Sequence, residues 1–242
     1  MKNVLSSRTG SYDVLQKLGI RGVEIGPPAP ENVEKLKAEL GKYGLTAMSI
    51  SGGIDLVNEN GLDKFDVLIN AAVSMDSKLI FASAHASNDI SREVTYQRLR
   101  KAGDKVAKHG ITVCLETHPI LCQNGDEALK TMLGVNHDNV RVNFDTANIY
   151  YYNENVDAVV ELRKIAKYVK SVHLKDTDGK PRSFAFPPLG DGIVNFPEIF
   201  RILNGAGFYG PFTFELESTS AEEMPKALEK SINYLRKAGC ID

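Results

Sequence analysis

The stretch VRVNFDTANIYYYNENVDAVVELRKIAKYVKSVHLKD, residues 140–176, holds one complete repeat of the pattern that organises this chain. A short β-branched and aromatic run, 140–145, alternates apolar with polar side chains, which is the period of a strand. An amphipathic stretch follows over 155–168, with Asn155 placed as a helix cap. A second strand, 169–176, completes a β-α-β unit. Outward from this unit the alternation continues to both ends. Strands are expected at 22–26 (GVEIG), 45–51, 78–85, 111–118 (ITVCLETH) and 211–217 (PFTFELE), with a weaker opening strand at 3–7. Helical patterns fall at 11–18, 31–43, 62–76, 91–109, 125–134, 196–205 and 221–238. Gly19, Gly44, Gly110 and Gly210 punctuate the returns to strand. Ser91 and Ser220 are further N-cap or near-cap positions.

Eight strands, each followed by a helix, within 242 residues is the arithmetic of a closed (β/α)8 TIM barrel. No Pro/Gly/Ser-rich linker or charge block interrupts it, so residues 1–242 are expected to form one compact domain. A doubly wound open sheet is the rival. It usually has fewer strands and often a glycine-rich first turn, and SSRTG offers no GxGxxG.

Composition narrows the function. With 43% hydrophobic and 25% charged residues, disorder and fibrous repeats are excluded. Lys plus Arg number 29 against 31 Asp plus Glu, a net charge of -2 without the basic excess usual in duplex binders. Three cysteines, Cys114, Cys122 and Cys240, form no CxxC pair, and a reduced cytoplasmic setting is expected. The opening MKNVLSSRTG has no apolar stretch suited to a signal peptide, and no run approaches a membrane span.

Strand parity then sorts the polar residues. Val113, Leu115 and Thr117 share one face, so Cys114, Glu116 and His118 share the other. By the same rule Asn143 and Asp145, His173 and Lys175, and Thr213, Glu215 and Glu217 point inward. Glu24 joins them, and so does His85 if Ile80, Ala82 and Ala84 meet the helices. These residues gather at the C-terminal strand ends, where barrel enzymes place their sites. Several buried carboxylates together require a compensating cation. Glu116, Asp145, His173 and Glu215, on four successive strands, supply three oxygens and a nitrogen. That donor set suits one divalent metal ion, Mn²⁺ or Mg²⁺ first, with Zn²⁺ or Co²⁺ as alternatives.

GVEIG, LETHP, NFDTAN, SVHLKD, PLGDGIVNFPEIFRIL and FTFELE, in that order and spacing, resemble the sugar phosphate isomerase/epimerase superfamily of xylose isomerase-like TIM barrels. The resemblance covers essentially the whole chain. It implies that Glu116, Asp145, His173 and Glu215 hold one divalent metal and that Glu116 and Glu215 act as an acid/base pair. The implied reaction is metal-dependent isomerisation or epimerisation of a sugar, keto-sugar or polyol derivative through an ene-diolate. A lyase or dehydratase acting on a keto-inositol or 3-keto-sugar shares the same first step. A carbohydrate-binding barrel without turnover is a further reading.

The chain also departs from the pattern. Many relatives carry a histidine three residues after the strand-6 Asp, where this sequence has Asn148. The additional histidines of endonuclease IV are missing from SFAFPPLGDG, which argues against a nuclease and against a nucleic-acid partner. The two-metal site of xylose isomerase proper is not seen. Substrate-binding candidates are Asn148, Lys175, His85, His118 and Arg182. Lys175 either binds a substrate hydroxyl or neutralises a carboxylate, and His85 serves either substrate or structure. Arg182 and Lys180 lie on a loop that suits a hydroxyl, a phosphate or plain solvent. Asp176 reads as a strand-end cap and Glu24 as a supporting residue. Tyr150, Tyr151, Tyr152, Phe184 and Phe186 either wall a sugar pocket or pack the loops. The expected partner is a small carbohydrate with no membrane involved, and a pocket left open by such short loops would suit a homo-oligomer.

Overall fold

A computed structural model describes residues 2–242. Its eight strands are all parallel and pair in sequence order, with β8 closing back on β1. They are β1 (Leu5–Ser7), β2 (Gly22–Ile25), β3 (Thr46–Asp55), β4 (Leu79–His85), β5 (Thr112–Glu116), β6 (Val140–Asp145), β7 (Val169–Leu174) and β8 (Phe212–Phe214). The helices outside are α1 (Tyr12–Lys17), α2 (Val33–Lys42), α3 (Phe65–Ser74), α4 (Arg92–Ala107), α5 (Gly125–Val135), α6 (Asn148–Tyr152), α7 (Ala158–Ile165), α8 (Phe196–Gly205) and α9 (Met224–Lys237). This is the expected (β/α)8 barrel. Among the described residues no helix is long and apolar enough to cross a membrane.

Period-2 alternation produces two kinds of core. Ile80, Ala82, Val113, Leu115, Val142, Phe144, Val172, Leu174, Phe212 and Phe214 are buried on the helix side. Phe212 stacks on Phe200 of α8 with centroids 4.1 Å apart. Burial of each such phenyl stabilises the fold by roughly 1.5–3 kcal/mol. The inward side carries short polar groups, as where the Asn143 amide donates to Ser171 Oγ at 2.7 Å. Phe81 is the large ring among them.

Several boundaries differ from the pattern, each for a local reason. The helix expected over 155–168 begins at Ala158, because Asp157 Oδ1 accepts the Val160 N–H at 3.0 Å and is the cap. Asn155 has φ 54 and turns the chain instead. Ser220 accepts from the Glu223 N–H, and α9 starts at Met224, just beyond. β8 stops at Phe214 rather than 217 because its neighbour β1 has only three residues to pair with. β3 runs through Gly52 and Gly53 to Asp55. A Cβ on Gly52 would lie 2.6 Å from Leu68 Cδ2, so the missing side chain lets α3 approach the strand.

Candidate active site

Glu116 and Asp145 are the last residues of β5 and β6, His173 is the last but one of β7, and Glu215 follows β8 directly. Ligand atoms of Glu116, Asp145 and His173 lie within 4.8 Å of one another. Glu215 meets this group through its Oε2, 3.1 Å from His173 Nδ1. Each side chain is held by its other atom. Asp145 Oδ1 accepts the N–H groups of Ala147 and Asn148, both at 2.9 Å, which aims Oδ2 inward. His173 Nε2 lies 3.1 Å from Glu24 Oε1, and its ring stacks on Phe81 at 4.5 Å. Glu24 in turn accepts from Ser49 Oγ and faces Arg8 Nε at 3.3 Å. Arg8 Nη1 donates to Glu215 Oε1, leaving Oε2 for the centre.

Asp145 Oδ2, His173 Nδ1 and Glu215 Oε2 thus converge in the buried centre, where among the described residues their only partners are one another and the Lys175 ammonium, none in well-aligned hydrogen-bond geometry. Three such atoms facing one point, with Glu116 beside them, fit a divalent cation bound by oxygen and nitrogen. The Glu24 contact fits the same interpretation, since a carboxylate on the remote imidazole nitrogen orients a metal-binding histidine.

The charges inside are strongly coupled. Burial pushes the Asp145 carboxyl up and Glu215 adds to this, while Lys175 and His173 pull it back. Glu215 is also opposed by burial, yet His173, Lys175 and Arg8 hold it well below the carboxylate range. For His173 burial acts downward, and the Glu215 and Glu24 carboxylates overcome it, raising the imidazole to about 10. Lys175 Nζ sits 2.8 Å from Glu215 Oε2 and 3.1 Å from Asp145 Oδ2, and donates to Glu217 Oε2 at 2.9 Å. Despite burial, these carboxylates raise its ammonium.

The substrate-binding candidates divide. Asn148 lies in the cluster: its Nδ2 donates to Glu116 Oε1 at 3.3 Å and to Thr117 O at 3.2 Å, and its Oδ1 accepts from Lys175 at 3.4 Å. His118 falls beyond the end of β5, where alternation no longer governs direction. Its Nδ1 is 3.0 Å from Pro119 O, and its ring meets Tyr152 edge-on at 5.0 Å, on the mouth rather than among the carboxylates. His85 is not brought into the cluster. It ends β4 with its side chain 72% exposed and faces Asp55 at 3.7 Å. Arg182 is an exposed loop residue whose backbone N–H donates to Tyr151 O at 3.0 Å.

Asp176 does more than end a strand. Its two oxygens accept the N–H groups of Thr177, Gly190, Gly192 and Val194. Gly192 is obligatory there, because an added Cβ would lie 2.2 Å from Asp176 Oδ1. Arg8 was not singled out in the sequence. Ser6 is fully buried inside the barrel, and Arg8 shares its parity, a signal obscured by the shortness of β1. Tyr152 is a further addition: burial first, then the Glu116 charge, pushes its phenol up to about 12, so it remains a proton donor at the mouth. An apolar recess of about 610 Å³ opens at the opposite barrel end, between Val4, Leu45, Met48 and Pro211, far from this chemistry.

Comparison with known proteins defines the class. The family model of the xylose isomerase-like TIM barrel matches residues 12–238, and the chain belongs to that family. It is 25% identical over 198 residues to the L-ribulose-5-phosphate 3-epimerase UlaE of Salmonella paratyphi A, covering 78% of this chain and 68% of that protein. A xylose isomerase domain protein from Planctomyces limnophilus superposes with a TM-score of 0.80 at 22% identity, over 97% of this chain and 95% of that one. A xylose isomerase-like barrel from Mycobacterium smegmatis, solved in complex with magnesium, gives 0.73 at 19% identity, over 98% and 96%.

Proposed function

We propose that this protein is a divalent-metal-dependent isomerase or epimerase of a sugar, keto-sugar or polyol derivative. The observation that carries the reading is the convergence of Asp145 Oδ2, His173 Nδ1 and Glu215 Oε2 on one buried point beside Glu116. Glu116, Asp145, His173 and Glu215 would hold the ion, with Mn²⁺ or Mg²⁺ favoured by the three carboxylates. When bound, the ion would polarise a substrate carbonyl and acidify the adjacent C–H.

The remaining work falls to the chain's own groups. Glu116 ends β5 and Glu215 follows β8, three strands apart around the barrel, so one can take a proton while the other returns one. His173, Lys175 and Arg8 keep Glu215 ionised. Glu116 bears only the Asn148 amide on its Oε1 and is half-buried, which leaves its other oxygen clear to meet substrate. Asn148 and the Tyr152 phenol supply hydrogen bonds to substrate oxygens and Lys175 neutralises the carboxylates around it, while His118, His85 and Arg182 stand further out at the rim. Similarity to a sugar epimerase over 198 residues supports proton transfer at carbon over loss of water.

The test is hydrogen exchange. Keto-sugars incubated with the protein and Mn²⁺ in D₂O should gain deuterium beside the carbonyl, and Glu116→Gln and Glu215→Gln should each abolish the gain. Exchange surviving in both variants refutes the two-glutamate mechanism. Failure to bind any divalent ion refutes the metal site.

A further inference from the structure

Beyond the polar cluster, aromatic rings continue without a break. Tyr152 meets Tyr151 edge-on at 4.9 Å, Tyr151 meets Phe184 at 5.3 Å, and Phe184 meets Phe186 at 6.3 Å. Both ends of this arc touch the site already described. Tyr152 packs on His118, two residues past Glu116, and the Phe186 ring lies 5.0 Å from Lys175 Nζ. From this arc we infer a second subsite, which takes the C–H face of a ring joined by a glycosidic bond to the sugar held at the carboxylate cluster. The inference rests on the proposed sugar chemistry and names its substrate class: a glycoside or disaccharide rather than an open-chain sugar phosphate.

Three observations support it. First, Phe184 is 74% exposed, the largest exposure among the large hydrophobics of the described residues. Its backbone is nonetheless pinned. The Phe184 carbonyl accepts from Ser218 Oγ at 2.7 Å, the Phe186 N–H donates to the same Oγ at 3.3 Å, and the Arg182 N–H donates to Tyr151 O at 3.0 Å. An apolar ring held outward on ordered backbone forgoes burial and is presented to a ligand. Second, Tyr152, Tyr151, Phe184 and Phe186 follow one another ring to ring, so the arc presents a continuous apolar surface beside the cluster. Third, the cations bordering the cluster are committed. Arg8 is paired with Glu24 and Glu215, and Lys175 with Asp145, Glu215 and Glu217. Inside the cluster a phosphate therefore finds no free cation among the described residues, and on the arc the apolar C–H faces of a sugar or an aryl ring complement the aromatic faces.

The probes are 4-nitrophenyl α- and β-D-glucopyranoside, cellobiose, D-glucose and D-ribulose 5-phosphate, read by saturation-transfer NMR on the Mg²⁺-supplemented protein. At least one of the two-ring probes should bind about 5-fold or more tightly than glucose, with saturation strongest on its distal ring. Phe184→Ala should remove that advantage and leave glucose within about twofold. The exposed position of Phe184 makes this variant safe for folding, and Tyr151→Phe, which keeps the ring, should retain the advantage. The proposal is overturned if no two-ring probe binds better than glucose, if the phosphate alone binds tightly, or if Phe184→Ala leaves the two-ring probes unaffected. It is also overturned if sedimentation shows a dimer that Phe184→Ala dissociates, since a second copy would then cover the ring. Loss of deuterium exchange with every keto-sugar would count against the isomerase reading alone, whereas normal exchange without distal-ring selectivity would count against the subsite alone.

Discussion

Asp176→Asn isolates the residue that orders the loop over the site. The carboxylate is fully buried, and each of its oxygens accepts two backbone N–H groups. Oδ1 takes Thr177 and Val194 at 2.9 and 3.1 Å, and Oδ2 takes Gly190 and Gly192 at 2.8 and 2.9 Å. Asparagine preserves the shape but turns one oxygen into a donor, so two N–H groups face another N–H. Hydrogen bonds to a charged group contribute about 1.5–3 kcal/mol each, so the loss of two is about 3–6 kcal/mol. For a chain of this size each kcal/mol moves Tm by about 2–4 °C, which places the expected fall at roughly 6–24 °C. Differential scanning fluorimetry measures it. If the loop detaches before the barrel unfolds, the same loss appears as faster proteolysis within 178–194. A Tm within about 2 °C of the parent, together with unchanged proteolysis, would refute the assignment of Asp176 as the loop's anchor.

Other consequences are equally open to measurement. Glu24→Gln should weaken Mn²⁺ binding about 10- to 100-fold by calorimetry while the barrel stays folded, because Glu24 orients His173; unchanged affinity would remove Glu24 from that role. Burial pushes the Cys122 thiol up to about 12 and the Cys240 thiol up to about 11, and also raises Cys114, so none should react with Ellman's reagent at pH 8 before urea is added. Because these folded values lie above the ordinary thiol value of 9.0, the stabilisation is complete below pH 9 and declines as pH rises toward 12, which urea titrations at pH 8 and 10 should show. Phe212→Ala, which empties the space against Phe200 and Phe208, should cost about 3–5 kcal/mol in urea unfolding; a cost under 1 kcal/mol would contradict the packing described.

The barrel was legible because alternation within strands and amphipathic helices between them are local properties of the chain. Alternation also directed Asp145, His173 and Glu116 inward, since each lies within a hydrogen-bonded strand. It lost authority at the rim of the barrel. His118 follows the end of β5 and turns to the mouth, and His85, the last residue of β4, faces solvent and Asp55. Parity along a strand cannot say whether the rim there is open or covered.

What the sequence determined by itself is the closed sheet, the face each strand residue takes, and the set of carboxylates and imidazole that meet at one end. Tertiary structure alone decided how each of those groups is held. Arg8 reaches Glu215 across 207 positions, and Glu24 meets His173 across 149. It also decided that an aromatic arc from the loops after β6 and β7 borders the same mouth. Barrel closure brings first and last strands together, so contacts that aim a ligand atom or build a wall join segments whose spacing carries no local pattern.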